Sequence, residues 1–200
     1  MAVETFEIEI VSAQPLAPTV KEFVFSRTDN QPLRFAPGQW LNLVLPTAEG
    51  EIRRAYSIAS PPTQSPRFEL AITEVTGGPG SGYLCGLEQG ARLSAIGPHG
   101  FFTREATDGA PALMVATGTG VTPMRSMIMA AQAAEAQALT WLLVGVRHEE
   151  DMLYRAQFEA LEREHPNVRA IFTLSQASPE WHGLRGYVQE HVAGLLAEMV

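Results

Sequence analysis

Residues 114–127 read "MVATGTGVTPMRSM". An apolar strand runs into Gly118 and Gly120, and a helix opens directly after them, with Thr122 as the expected N-cap and Pro123 in its first turn. Glycines let a ligand approach the backbone closely, and the free N–H groups of a helix N-terminus attract phosphate. The stretch is not a Walker loop, since no Gly-Lys-Ser/Thr occurs, and it lacks the full G-x-G-x-x-G spacing. Taken alone it is a tight strand-to-helix turn, with or without a ligand.

Downstream the same alternation repeats. "LTWLLVGV" (139–146) is a continuous apolar strand, "DMLYRAQFEALEREH" (151–165) is helical, "VRAIFTL" (168–174) is a strand and "GYVQEHVAGLLAEM" (186–199) closes as a helix. Apolar strands alternating with helices imply a parallel sheet covered on both faces, a Rossmann-like arrangement.

Upstream of 105 the period is different. In "TFEIEIV" (5–11), Phe6, Ile8 and Ile10 alternate with Glu7 and Glu9, the pattern of a half-buried strand. Further short β segments, "VKEFVFSR", "QWLNLVL", "RAYSIAS", "RFELAITEV" and "ARLSAIG", are separated by turn clusters such as "APGQ" and "SPPTQSP". Six short strands predict a closed antiparallel barrel, because closure removes exposed edges. One short helix is expected near 81–89, after the glycine-rich "GGPGSGYL" (77–84). The fold class is therefore β followed by α/β, with domains at 1–105 and 106–200 and the second one C-terminally short.

Composition narrows the function. Acidic residues outnumber basic ones on both sides of residue 105 and the net charge is −8, against a nucleic-acid binder. No apolar run approaches the roughly 20 residues of a membrane span, and the acidic, alternating N-terminus is not a secretory signal. Cys85 is the single cysteine, so this chain forms no internal disulfide and no four-cysteine iron–sulfur or zinc site. A cytoplasmic protein is expected. The five histidines show no metal-ligand spacing, and "HEED" (148–151) suits a helix N-terminus better than a catalytic acid cluster.

The segment "RRAYSIAS" (53–60) crowds charge, ring and hydroxyl together. On a strand Arg54 and Tyr56 share one face, while Ser57 points to the other. Arg54 suits a phosphate and Tyr56 suits stacking on an aromatic ring. A surface tyrosine beside an arginine is the plain alternative. In "GGPGSGYL", Gly78, Gly80 and Ser81 offer amides and a hydroxyl to a second phosphate, or form only a hairpin loop. Two phosphate-type loops in two unlike domains suit two nucleotide cofactors.

With these motifs in hand, the chain resembles the ferredoxin–NADP reductase superfamily over nearly its whole length. "RAYS" resembles that family's Arg-x-Tyr-Ser flavin motif, and "GPGSGYL" its Gly-x-x-Ser-x-x-Leu loop. "GPHGFF" resembles its Gly-Pro-x-Gly turn, and "GTGVTPMRSM" its nucleotide loop. The resemblance implies FAD as cofactor and NADH or NADPH as co-substrate. It implies Arg54 on the pyrophosphate, Tyr56 on the flavin ring and Ser57 near its reactive nitrogen, with Gly78, Gly80 and Ser81 at the pyrophosphate. Thr117, Gly118, Gly120 and Pro123 would shape the nicotinamide-nucleotide site. Arg147, closing "VGVR", would serve a phosphate there. Gln176 in "TLSQ" replaces an arginine frequent in the family, which leans towards NADH.

The family's last strand, with a Cys-Gly-Pro-x-x-Met-like segment, has no counterpart before Val200, so a truncated chain or a naturally short member is expected. Two functions follow from the resemblance. One is a reductase moving a hydride from NAD(P)H to FAD and electrons onward to an iron–sulfur protein, haem protein, oxygenase component or free flavin. The other is a non-catalytic FAD-binding electron-transfer subunit.

Overall fold

The computed structural model describes residues 3–47 and 50–199, so Met1, Ala2 and Val200, which figure in the reading of the two ends, lie outside the described residues. The first half is a six-stranded antiparallel sheet formed by β1 (Glu4–Ala17), β2 (Val20–Arg27), β3 (Trp40–Thr47), β4 (Gly50–Ser57), β5 (Arg67–Thr73) and β6 (Arg92–His99), in the order β4-β3-β6-β1-β2-β5. The period-2 pattern sets its inside: Phe6, Ile8 and Ile10 of β1, Phe23 and Phe25 of β2, and Leu41, Leu43 and Leu45 of β3 are buried. Phe23, Phe25 and Phe68 stack in sequence, with ring centroids 5.8 and 5.7 Å apart.

The barrel is not closed by a full ladder. Among the described residues, the outer strands β4 and β5 are paired only through an isolated bridge between Ile58 and Leu70, just beyond the end of β4. The rest of their facing edges is a seam, and helix α1 (Pro79–Cys85) lies beside it. This helix starts two residues before the expected position, because Pro79 occupies its first turn with a preset φ.

The second half is a parallel sheet built from β7 (Ala112–Thr117), β8 (Thr140–Val146), β9 (Val168–Leu174) and β10 (Leu184–Arg185), ordered β10-β9-β8-β7. Helices α2 (Val121–Ala133) and α3 (Arg155–Glu164) pack on one face against Met114, Leu142, Val144 and Phe172. Helix α4 (Val192–Met199) covers the other, with Leu195 against Trp141 and Leu143. Both faces are thus buried, which explains why β8 is apolar at nearly every position.

Three details depart from the sequence reading. Thr122 is not the cap of α2: Gly118–Gly120 form a 3-10 turn that runs directly into the helix, and the Thr122 hydroxyl donates to Thr119 O at 2.8 Å from inside it. The helix expected from Asp151 is broken, since Glu149–Asp151 make a separate 3-10 turn and Tyr154 has a left-handed backbone (φ 57°) before α3. Strand β10, two residues long, lies between β9 and the closing helix, where no strand was expected. No helix among the described residues is long and apolar enough to cross a membrane.

The two halves share a core. Val20, Ala59 and Ala71 of the barrel pack in one apolar cluster with Met124, Met127 and Ile128 of α2.

Candidate active site

Two clefts open where the halves meet. The smaller, about 380 Å³, occupies the β4–β5 seam. Arg54, Ala55 and Tyr56 form one wall and Ala71, Thr73 and Val75 the other, with Gly78, Pro79, Gly80 and Ser81 of the α1 region beneath. Unpaired strand edges carry backbone groups that need partners, so the seam is polar as well as concave.

Arg54 is exposed, and its guanidinium donates to Arg53 O at 3.0 Å. Its stem lies against Gly80: a Cβ on that glycine would stand 2.9 Å from Arg54 Cγ and 3.2 Å from Nε. Glycine is therefore needed for the arginine to lie flat across the helix start. Gly78 is constrained in its turn, since a Cβ there would meet Ser81 Oγ at 2.9 Å and Val75 O at 3.0 Å. The buried Ser81 hydroxyl oxygen accepts from Val75 N–H at 3.0 Å, which folds the loop back onto itself. Tyr56 is half-buried. Burial pushes its phenol above the usual tyrosine range, against the opposing pull of the Arg54 charge, so the ring is neutral.

The larger cleft, about 600 Å³, lies at the C-terminal ends of the parallel strands. Such sheets bind ligands in this place, where loops leave the strand ends. Thr117, Gly118 and Thr119 line it at the end of β7, Gly145 through His148 at the end of β8, Ser175 after β9, and Gly186 through Gln189 after β10. Gly118 has φ 49° and open space where a Cβ would stand. Glu150 and Asp151 line the same cleft as Arg147. Across the opening stand Ala17 through Val20 and Thr73 of the barrel.

Thr73 and Thr119 line both clefts, so the two adjoin. Of the residues singled out in the sequence, Arg54, Tyr56, Gly78, Gly80 and Ser81 meet in the smaller cleft, and Thr117, Gly118 and Arg147 in the larger. Ser57, half-buried at the end of β4 opposite Trp40, lines neither. Gly120 and the buried Pro123 shape the start of α2 without facing a cleft.

Sequence reasoning missed Thr73, Thr119, the 17–20 turn and the 186–189 wall. One signal was available for the last: Gly145 interrupts an apolar strand, and a Cβ there would stand 2.6 Å from Val188 Cγ1. A glycine inside a strand marks such a close approach.

The architecture is that of a two-domain oxidoreductase, a barrel with one ligand cleft set against a parallel sheet with another. Residues 7–103 match the family model described as an oxidoreductase FAD-binding domain, and residues 114–199 that of an oxidoreductase NAD-binding domain. The chain is 54% identical over 196 residues to ferredoxin–NADP reductase B of Sorangium cellulosum (strain So ce56), covering 98% of this chain and 80% of that protein. It is 32% identical over 194 residues to the phenol hydroxylase P5 protein of Acinetobacter pittii (strain PHEA-2), covering 96% and 54%. Among solved structures, the Amycolatopsis cytochrome P450 reductase GcoB superposes with a TM-score of 0.88 at 26% identity, over 98% of this chain and 59% of that one. The chain belongs to the ferredoxin–NADP reductase superfamily. It is an NAD(P)H-dependent flavoprotein reductase with FAD as its cofactor. It spans four fifths of the Sorangium reductase and about half of the Acinetobacter protein.

Proposed function

We propose that the smaller cleft holds FAD, the larger holds the nicotinamide nucleotide, and a hydride passes between them where Thr73 and Thr119 border both. The shared border carries this reading, because hydride transfer needs the two reacting rings in direct contact. The residues present fit the cofactor: Gly80 leaves room for Arg54 to lie across α1, and the exposed guanidinium fork is suited to a pyrophosphate. The neutral Tyr56 ring offers an apolar face at the same wall. FAD, when bound, supplies two-electron acceptance from the nucleotide and one-electron release to a partner. Arg54 and Tyr56 orient it. The Ser81–Val75 bond and Gly78 hold the loop beneath it.

In the larger cleft, Gly118 and Thr119 let the nucleotide backbone approach the start of α2. NADH is the preferred substrate in this reading. Glu150 and Asp151 beside Arg147 disfavour an added 2′-phosphate, and Gln176, in the turn after β9, carries no charge. The acceptor is a separate redox protein, such as an iron–sulfur, haem or oxygenase component. The Acinetobacter relative, a protein of a phenol hydroxylase, supports that class. We divide the chain at residue 105, between β6 and β7.

Anaerobic rapid mixing of the FAD-loaded protein with NADH and with NADPH tests the reading. Bleaching of the flavin by NADH at a rate at least several-fold above that with NADPH is expected. A flavin left oxidised by both nucleotides would show a binding subunit that does not carry out the reduction.

A further inference from the structure

The polar groups that join the two halves converge on one buried cation. Arg125 sits on α2, seven residues after Gly118, and is 6% exposed. Its Nη1 donates to Ala59 O at 2.9 Å and to Glu69 Oε2 at 2.6 Å, both in the barrel. Its Nε donates to Gln157 Oε1 of α3 at 2.6 Å, and its guanidinium lies 4.3 Å from the centre of the Tyr154 ring. Next to it, the buried Ser126 hydroxyl donates to Ser60 O at 2.7 Å.

The barrel side of this junction is itself stitched together. Ala59 N–H donates to Glu69 O at 2.8 Å, and Glu69 N–H donates to Ser60 Oγ at 3.1 Å. Ala59 and Ser60 follow Ile58 just beyond the end of β4, which carries Arg54 and Tyr56. Glu69 is on β5, four residues before Thr73. Arg125 thus holds at once the two strands that wall the smaller cleft, and the helix whose leading loop carries Gly118 and Thr119. A planar guanidinium with fixed donors and a stacked face allows few orientations. A largely buried ion pair of this kind contributes little net stability compared with apolar replacements of similar volume, and its best-attested use is to fix register.

We propose that Arg125, paired with Glu69, is the positioning residue that sets the two clefts in register for hydride transfer. This rests on the assignment of the clefts given above. Misplacement of reacting groups by about 1 Å can cost on the order of a hundredfold in rate. A loosened clamp would therefore act on the transfer step and leave each ligand's own contacts in place.

The test uses the full FAD-loaded chain and three variants: Glu69→Gln, Arg125→Met, and the double Arg125→Met/Glu69→Leu. The double variant removes both members of the pair, so neither is left as a charge without its partner, and it keeps the test open if a single variant fails to fold. In the double variant, the limiting rate of flavin bleaching at saturating NADH should fall about tenfold or more. FAD affinity and the Kd for NAD+ should change less than about threefold. The midpoint of calorimetric unfolding should stay within about 3 °C of the parent, because the apolar cluster of Val20, Ala59 and Ala71 with α2 still joins the halves. A limiting rate within twofold of the parent overturns the positioning role. A midpoint lowered by about 10 °C or more also overturns it, because the rate loss would then follow from lost stability rather than from positioning. If the parent itself is bleached by neither nucleotide, the cleft assignment fails; a bleached parent with an unslowed double variant fails the positioning role alone.

Discussion

Gly80 lies beneath Arg54 so closely that a single methyl group on it would stand 2.9 Å from the arginine Cγ and 3.3 Å from Leu45 Cδ1. Leu45 is fully buried in the barrel and has little room to give, so the arginine must move. Gly80→Ala should leave the fold intact and displace the guanidinium from the α1 start. FAD retention is expected to weaken about tenfold, the order of one charge-assisted contact of roughly 1.5 kcal/mol. Arg54→Ala should weaken it at least as much while changing turnover of the loaded protein less. Equilibrium dialysis against FAD measures both, and equal retention in mutant and parent would remove Arg54 from the cofactor site.

Gly118 makes a second, separable prediction. Its φ of 49° is a conformation that β-branched residues adopt rarely, at a cost of roughly 1–2 kcal/mol. Gly118→Val should strain the turn and place two methyl groups in the larger cleft. Affinity for NAD+ should drop tenfold or more, with FAD still bound, because Gly118 lines only the larger cleft. Titration calorimetry with NAD+ on the FAD-loaded protein measures this. Undiminished binding would exclude the loop from the nucleotide site.

Much of this architecture was legible in residue order alone. The alternation of Phe6, Ile8 and Ile10 with Glu7 and Glu9 fixes a strand with one buried face, and the apolar run at 139–146 can only be covered on both sides. The glycines at 78, 80 and 118 were visible as breaks in these patterns. What was not legible depends on pairs distant in the chain. Arg125 reads as one cation on a methionine-rich helix until Glu69, Ala59 and Tyr154 surround it. Thr73 is the last residue of an ordinary strand until Thr119 faces the same opening. Strand β10 has two residues, too few for any period to register. Ser57 lies outside both clefts for a local reason. Its motif neighbours face the cleft, but β4 ends at Ser57, and its backbone is set against Trp40.

The acid limb of stability should depend on Asp29. Its carboxylate accepts from Arg27 Nε at 3.0 Å and Nη2 at 2.6 Å, and the buried guanidinium also lies 4.4 Å from the Phe6 ring centre. The hydrogen bond from Arg27 is the main reason the Asp29 carboxyl is held down at about 2. An unfolded chain releases this proton near pH 4. A depressed folded value means the contribution is complete above about pH 4 and is lost as pH falls through about 2. Asp29→Asn should therefore lower stability at pH 6 and flatten its decline between about pH 4 and 2. Urea unfolding at pH 6, 4 and 3 would measure this. Parallel pH dependence in the two proteins would show that Asp29 contributes nothing to the limb.

His191 holds the wall of the larger cleft from behind. The Thr173 hydroxyl donates to Gly186 O at 2.9 Å, so its oxygen can only accept from His191 Nε2, 3.0 Å away. The same ring nitrogen also lies 2.9 Å from Arg185 O, which requires the tautomer with the proton on Nε2. One N–H therefore ties Arg185 and, through Thr173, Gly186 to β9, immediately before the 187–189 segment that lines the cleft. Thr173 is fully buried, so a lost partner there is not replaced by water. His191→Phe should lower thermal stability by about 1–2 kcal/mol and weaken NAD+ binding about three- to tenfold, with FAD affinity unchanged. His191→Gln, which still presents an N–H donor, should recover part of both losses. Thermal unfolding and NAD+ titration on the two variants decide it: a loss of stability without any change in nucleotide affinity would show that the wall keeps its position without the histidine.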